Sequence, residues 1–160
     1  MPEAHVEAPA SGSVILAGLI LKLGTYAMFR FLLVYCFYIF YDFILFIFIL
    51  GLFGFVYSSM VALVQLDMKK IIAYSSIAHM NFSLFGLFSH SLIGVTGAFF
   101  MMLGHAFTSS ALFFSVGILY DRYKTRLLLY YGGLAYFLPI FCVLYFFFTL
   151  ANFGFPGTFN

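Results

Sequence analysis

The chain has 160 residues, 65% of them apolar and 8% charged, with a formal net charge of +2. A soluble domain carries about 25% charged residues, so this composition excludes a water-soluble fold and makes membrane lipid part of the solvent. The small charge gives no basis for nucleic-acid binding.

The first thirteen residues do not read as a targeting peptide, because Glu3 and Glu7 stand where a signal sequence would be basic. They read as a loop, with His5 a surface or interface residue. Hydropathy then predicts an all-α, polytopic membrane bundle of about five helices, over 14–36, 41–66, 71–90, 93–120 and 134–152, in a single membrane domain with no soluble part. Asp42 marks a very short turn between the first two. Gln65, Asp67, Lys69 and Lys70 form the second break, Ser89 to Ser91 the third, and Asp121, Arg122, Lys124 and Arg126 the fourth. The last helix is interrupted at Asn152-Phe153-Gly154-Phe155-Pro156-Gly157-Thr158, a Pro-Gly break at a depth where irregular backbone needs cover from protein or water.

Basic residues gather in the loops around Lys69–Lys70 and Arg122–Arg126, which are two helices apart and so lie on one side. The positive-inside rule places them in the cytosol or, in a mitochondrion, the matrix, with the N-terminal segment on the same side. Cys36 and Cys142 lack any CxxC spacing and read as apolar filler.

Three ionisable residues fall near mid-span. Lys22 lies nine residues into the first helix, roughly 12–14 Å from either end at 1.5 Å per residue, too deep to snorkel easily to the headgroups. Intramembrane ionisable groups are costly and mark ion or proton pathways. His79 lies on a polar face with Ser75, Ser83 and Gly86, and His105 has Gly104, Thr108 and Ser109 beside it. Imidazole exchanges protons near neutrality without a large shift. A neutral histidine bonding across helices as structural glue is the alternative. Arg30, two turns beyond Lys22, reads as snorkelling or as a partner of Asp42. Haem held by two facing histidines is a competing chemistry, but no HxxxH, CxxCH or acid–histidine cluster exists, and no metal or cofactor site is read.

The same residues carry a resemblance. Pro2-Glu3-Ala4-His5-Val6-Glu7-Ala8-Pro9 with Leu16 to Gly24, Asp67 to Met80, Gly104 to Phe113, and Phe155-Pro156-Gly157-Thr158 resemble, in order and spacing, the subunit 4 family of NADH-ubiquinone oxidoreductase, respiratory complex I. This group of antiporter-like subunits also includes relatives in sodium/proton antiporters. The resemblance implies that the five helices match the family's eighth to twelfth, that Lys22 matches its central-axis lysine, and that His79 and His105 continue its hydrated axis. It further implies proton translocation in the mitochondrial inner membrane, no redox cofactor in this chain, and other membrane-arm subunits as partners. Members of the family are longer, with charged residues expected before Met1 and after Asn160. The chain is therefore expected to be a fragment that needs other chains to supply the missing helices. A structural fragment without its own proton path is the second reading, and a haem-binding electron carrier the third.

Overall fold

The computed structural model describes residues 2–35 and 37–158, with the side chains of 32, 33 and 37–41 left out. All its named elements are helical. They are α1 (Pro2–Glu7), α2 (Ala10–Ile15), a π-helical stretch (Leu16–Ile20), α3 (Leu21–Ala27), a second π-helical stretch (Met28–Leu33), α4 (Phe37–Val64), α5 (Met68–Leu87), α6 (Leu92–Tyr123), a 3₁₀ turn (Leu128–Tyr131), α7 (Leu134–Phe137) and α8 (Pro139–Asn152). Among the described residues, three segments are long and apolar enough to cross a membrane: Ala10–Phe31, Asp42–Val64 and Leu92–Tyr123. At 20 residues, α5 is long enough to span as well, but Ser75, Ser76, His79, Asn81 and Ser83 reduce its hydropathy. The architecture is an all-α membrane bundle.

The hub is α6, which has 61% of its most apolar window buried, against 11% for α4. On it pack α5, α2 with the first π-helical stretch, and α8, while α4 packs on the far side of α5. The α4 face is left to lipid, as Leu45, Phe53 and Leu63 show by their exposure. One apolar cluster centres on Ile72, Ala73, Leu112, Phe113 and Val116 between α5 and α6. A smaller one joins Leu87, Phe88 and Ala98 to Phe29, Ile44 and Phe48. The α5–α6 crossing is close because both backbones are bare there: a Cβ on Gly86 would meet the Gly94 carbonyl at 2.8 Å. At the turn, Ser91 caps α6 by accepting from the Gly94 amide at 3.0 Å.

The two basic loops meet. The Met68 amide donates to the Arg126 carbonyl and the Leu128 amide to the Leu66 carbonyl, both at 3.1 Å, pairing Asp67 with Leu127 in a short antiparallel bridge. The N-terminal segment closes over the same end, where Lys69 donates to the Ala8 carbonyl at 3.0 Å and Arg126 to that of Val6 at 2.6 Å. All three stretches therefore share one side, as the charge pattern predicts.

Four expectations are corrected. Residues 2–7 form a helix rather than a loop, and His5 is buried at 1% exposure, stacked 4.8 Å from Phe113. Asp42 is no turn, because α4 runs through it. A lone carboxylate does not break a helix, and one near the helix N-terminus sits well with the dipole. Of the two readings of Arg30 only the pairing with Asp42 fails: the side chain is exposed, as snorkelling expects, and bonds the Tyr26 hydroxyl at 3.2 Å. The predicted helix over 134–152 is two pieces, because Leu138, preceding Pro139, leaves the α region (φ −135°, ψ 66°) and Pro139 starts α8. Cys142 is a free, half-buried thiol, and Cys36 lies outside the described residues.

Candidate functional site

Lys22 opens the site. In the helical rod of residues 10–33, its side chain runs back toward the N-terminus, the direction helical side chains favour. Its Nζ donates to the carbonyl of Ala17, a residue with no exposed surface. A methyl group on Gly18 would lie 3.7 Å from Ser110 Cβ and 3.9 Å from the Ala106 carbonyl. The ammonium is thus held level with the α6 turn that carries His105, and its charge reaches His79 and His105 alike.

The histidines face each other across the α5–α6 contact, with ring centroids 5.1 Å apart and planes tilted by 36°. His105 is fully buried. Its helix is locally tightened by Ser109, whose hydroxyl donates to the His105 carbonyl at 2.6 Å. Neither ring nitrogen of His105 meets a protein hydrogen-bond partner. A buried imidazole left so is costly, and an ordered water is the usual remedy in a polar site. Two rings partly stacked on each other do not address one iron from opposite faces, so the pair does not suit haem ligation. Among the described residues, no group of three or more His, Cys, Asp or Glu side chains forms a metal cluster.

The polar face of α5 divides into two. Ser83 and Gly86 pack toward α6, where Ser83 bonds back to the Met80 carbonyl at 2.8 Å. Ser75 and His79 instead line a cavity of about 350 Å³ whose other walls include Ser59, Tyr145, Thr149 and Asn152. Asn152 lines the same cavity as His79, and its Nδ2 reaches Ser75 Oγ at 3.4 Å. Asn152 is the last residue of α8, so the Pro-Gly segment begins beside His79. At 14 residues α8 is about 21 Å long, short of the ~30 Å hydrocarbon core. The chain then turns through Gly154 (φ 72°) and Gly157 (φ 93°), conformations that glycine adopts without strain.

The structure thus brings a buried His105 against a half-buried His79, with the half-buried Lys22 close enough for its charge to act on both and Asn152 beside His79 at the cavity. Sequence reasoning passed over Asn152 as part of a breaking segment. It also passed over His5, buried one helical face away on Phe113 and within reach of the Lys22 charge. Burial first, and then nearby positive charges that include Lys69 and Lys22, holds the His5 imidazole below its ordinary value. The same order of causes applies to Lys69, whose ammonium is lowered by burial and then by Arg126.

The chain is 52% identical over 158 residues to NADH-ubiquinone oxidoreductase chain 4 of Marchantia polymorpha and 53% identical to that of Triticum aestivum. It is 49% identical to NADH-quinone oxidoreductase subunit M of Rhodobacter capsulatus. In each case 99% of this chain is covered, but it spans only about a third of the relative: 32%, 32% and 31%. The family described as NADH:quinone oxidoreductase/Mrp antiporter, TM matches residues 1–160. The chain belongs to this NADH:quinone oxidoreductase/Mrp antiporter transmembrane family.

Proposed function

We propose that these residues form the central part of a transmembrane proton path in an antiporter-like subunit of NADH:ubiquinone oxidoreductase, with Lys22, His79 and His105 as its proton-carrying groups. The observation that carries this reading is the His79–His105 pair, its rings 5.1 Å apart with His105 buried, within reach of the Lys22 charge. Protons pass between such groups directly or through one water. Redox energy released in other subunits acts here as a change in the charge near Lys22, since an opposite charge favours its protonated form and a like charge the neutral one. Membership of the family and the relatives' names support the assignment. The 160 residues act as one membrane domain, in the mitochondrial inner membrane, with the basic loops on the matrix side. They pack against other membrane-arm subunits and lipid, and the helices absent from this stretch complete the path.

The reading of the chain as structure alone fits the site less well. A histidine kept as interhelical glue has a partner for its nitrogens, whereas His105 meets none in the protein. The test is Lys22→Ala in the assembled enzyme, reading protons pumped per electron. Loss of most transport through this subunit is expected. An unchanged ratio overturns the assignment.

A further inference from the structure

A second opening lies at the loop end, sharing Tyr145 and Thr149 with the histidine cavity. It is a groove of about 550 Å³ whose walls include Leu119 of α6, Leu128 of the 3₁₀ turn, and Phe141, Cys142 and Thr149 of α8. Along α8 these positions span eight residues, roughly 12 Å at 1.5 Å per residue. The groove therefore runs from the basic loop down into the depth of the bundle. The Thr149 hydroxyl is turned to the Phe146 carbonyl at 2.8 Å, which leaves the lining largely apolar. The mouth is basic. Arg122 follows Leu119 by three residues and so lies on the same face of α6, one turn nearer the loop. Lys124 ends α6 in the left-handed region (φ 56°), between Tyr123 and Thr125. Both of these neighbours touch Tyr131 of the groove wall: the Tyr123 and Tyr131 rings meet edge to face at 5.7 Å, and the Tyr131 hydroxyl donates to the Thr125 carbonyl at 2.6 Å.

Arg122 and Lys124 are exposed. Among the described residues the only ion pair joins Lys70 to Asp67, so neither of the two has a carboxylate partner. Beside them Tyr130 and Tyr136 stand 71% and 86% exposed. Exposed tyrosines next to basic residues at the end of a membrane span mark the headgroup level. We propose that this groove binds an anionic phospholipid, with its phosphate at Arg122 and Lys124 and an acyl chain along α8. Guanidinium and ammonium groups both pair with phosphate, the guanidinium through two parallel bonds. Basic pockets between helices on the inner side of a membrane hold anionic headgroups in the same way. A helix of another chain would fill the apolar part and leave the two charges at the mouth unanswered. A phospholipid answers both parts with one molecule.

The test uses the assembled enzyme in phosphatidylcholine vesicles that contain a trace of a lipid with a photoreactive group in its acyl chain. The probe is phosphatidylglycerol in one arm and phosphatidylcholine in the other, and labelling of peptides from 128–149 is read by mass spectrometry. Each cation beside an anionic headgroup is worth about fivefold in affinity. The anionic probe is therefore expected to label these peptides about five- to twentyfold more than the neutral one. Arg122→Gln and Lys124→Gln should each lower that labelling about fivefold, and the double variant should take up both probes alike. Cys142→Phe narrows the groove and should reduce labelling by either probe. If the variants do not assemble, the comparison of the two probes in the unaltered enzyme decides alone. Equal labelling by both probes overturns the anionic site. No labelling by either puts a protein helix in the groove and overturns it too. Inorganic phosphate that removes the preference, when chloride of the same ionic strength does not, assigns the mouth to a free anion and equally overturns the lipid.

Discussion

The two polar regions of this molecule treat charge in opposite ways. At the loop end, Lys69 is held by the Ala8 carbonyl, Arg126 by the Val6 carbonyl and Lys70 by Asp67 at 3.5 Å. The middle layer has a lysine answered by one carbonyl of its own helix and a buried histidine with no protein partner on either nitrogen. Partners that are fixed in the fold make a charge structural, because the protein holds one arrangement of it. Groups left short of partners have more than one arrangement available, and a proton carrier needs that. The loop end therefore clasps the bundle, and the middle layer is where the proposed path has charge move.

The strongest way to break this contrast is to treat the middle as if it were structural. His105→Leu replaces an imidazole without protein partners by an apolar side chain of similar size. Removing a polar group that has no protein bond is nearly neutral or stabilising, so the thermal midpoint of the assembled subunit should hold or rise. Proton flux should fall several-fold, and less than in Lys22→Ala, since water can stand in part for a lost imidazole. A fall in stability of a few kcal/mol with flux intact would make His105 packing and not path.

The converse experiment addresses the loop end. Lys69→Met keeps most of the buried stem and removes the ammonium bonded to Ala8. A hydrogen bond from a charged donor is worth about 1.5–3 kcal/mol. Part of that is offset here because burial already disfavours the Lys69 ammonium. The expected outcome is a loss of about 1 kcal/mol, read as faster proteolysis between residues 8 and 14, with the proton-to-electron ratio unchanged. A changed ratio would join the loop end to the path.

What sequence could show follows the same division. Polar runs between apolar ones are strong signals, so the breaks near 65–67 and 88–91 and the shared side of the two basic clusters are legible from charge and hydropathy alone, although Lys69 and Lys70 fall in the first turn of α5. Lys22, His79 and His105 stood out because ionisable groups in a lipid-facing composition are rare. Asp42 misled because a single carboxylate among apolar residues resembles a loop, although a helix accepts it readily near its N-terminus. Pro139 was read through as helix, whereas its constraint falls on the residue before it, and α8 starts there. Asn152 was hidden for a different reason. Its side chain bonds Ser75, 77 residues earlier in the chain, and no local pattern joins them. His5 was hidden because its partner ring, Phe113, belongs to another helix.

The smallest effect belongs to that histidine and concerns pH. Burial and the nearby positive charges hold the folded His5 below its ordinary value, so the folded state favours the neutral ring and the unfolded segment binds protons more readily. Stability then rises with pH wherever the unfolded state carries the extra proton. The contribution of the His5–Phe113 stack is therefore fully present above the unfolded value of about 6.5 and is lost as pH falls below it toward the folded value. In the assembled complex, amide exchange over residues 4–13 should quicken between pH 7.5 and pH 5.5, beyond the intrinsic change of the exchange rate itself. His5→Phe keeps a ring against Phe113 and removes the titration, so the excess should vanish. Equal excess in the variant would place the pH sensitivity elsewhere in the clasp, on a group other than the buried imidazole.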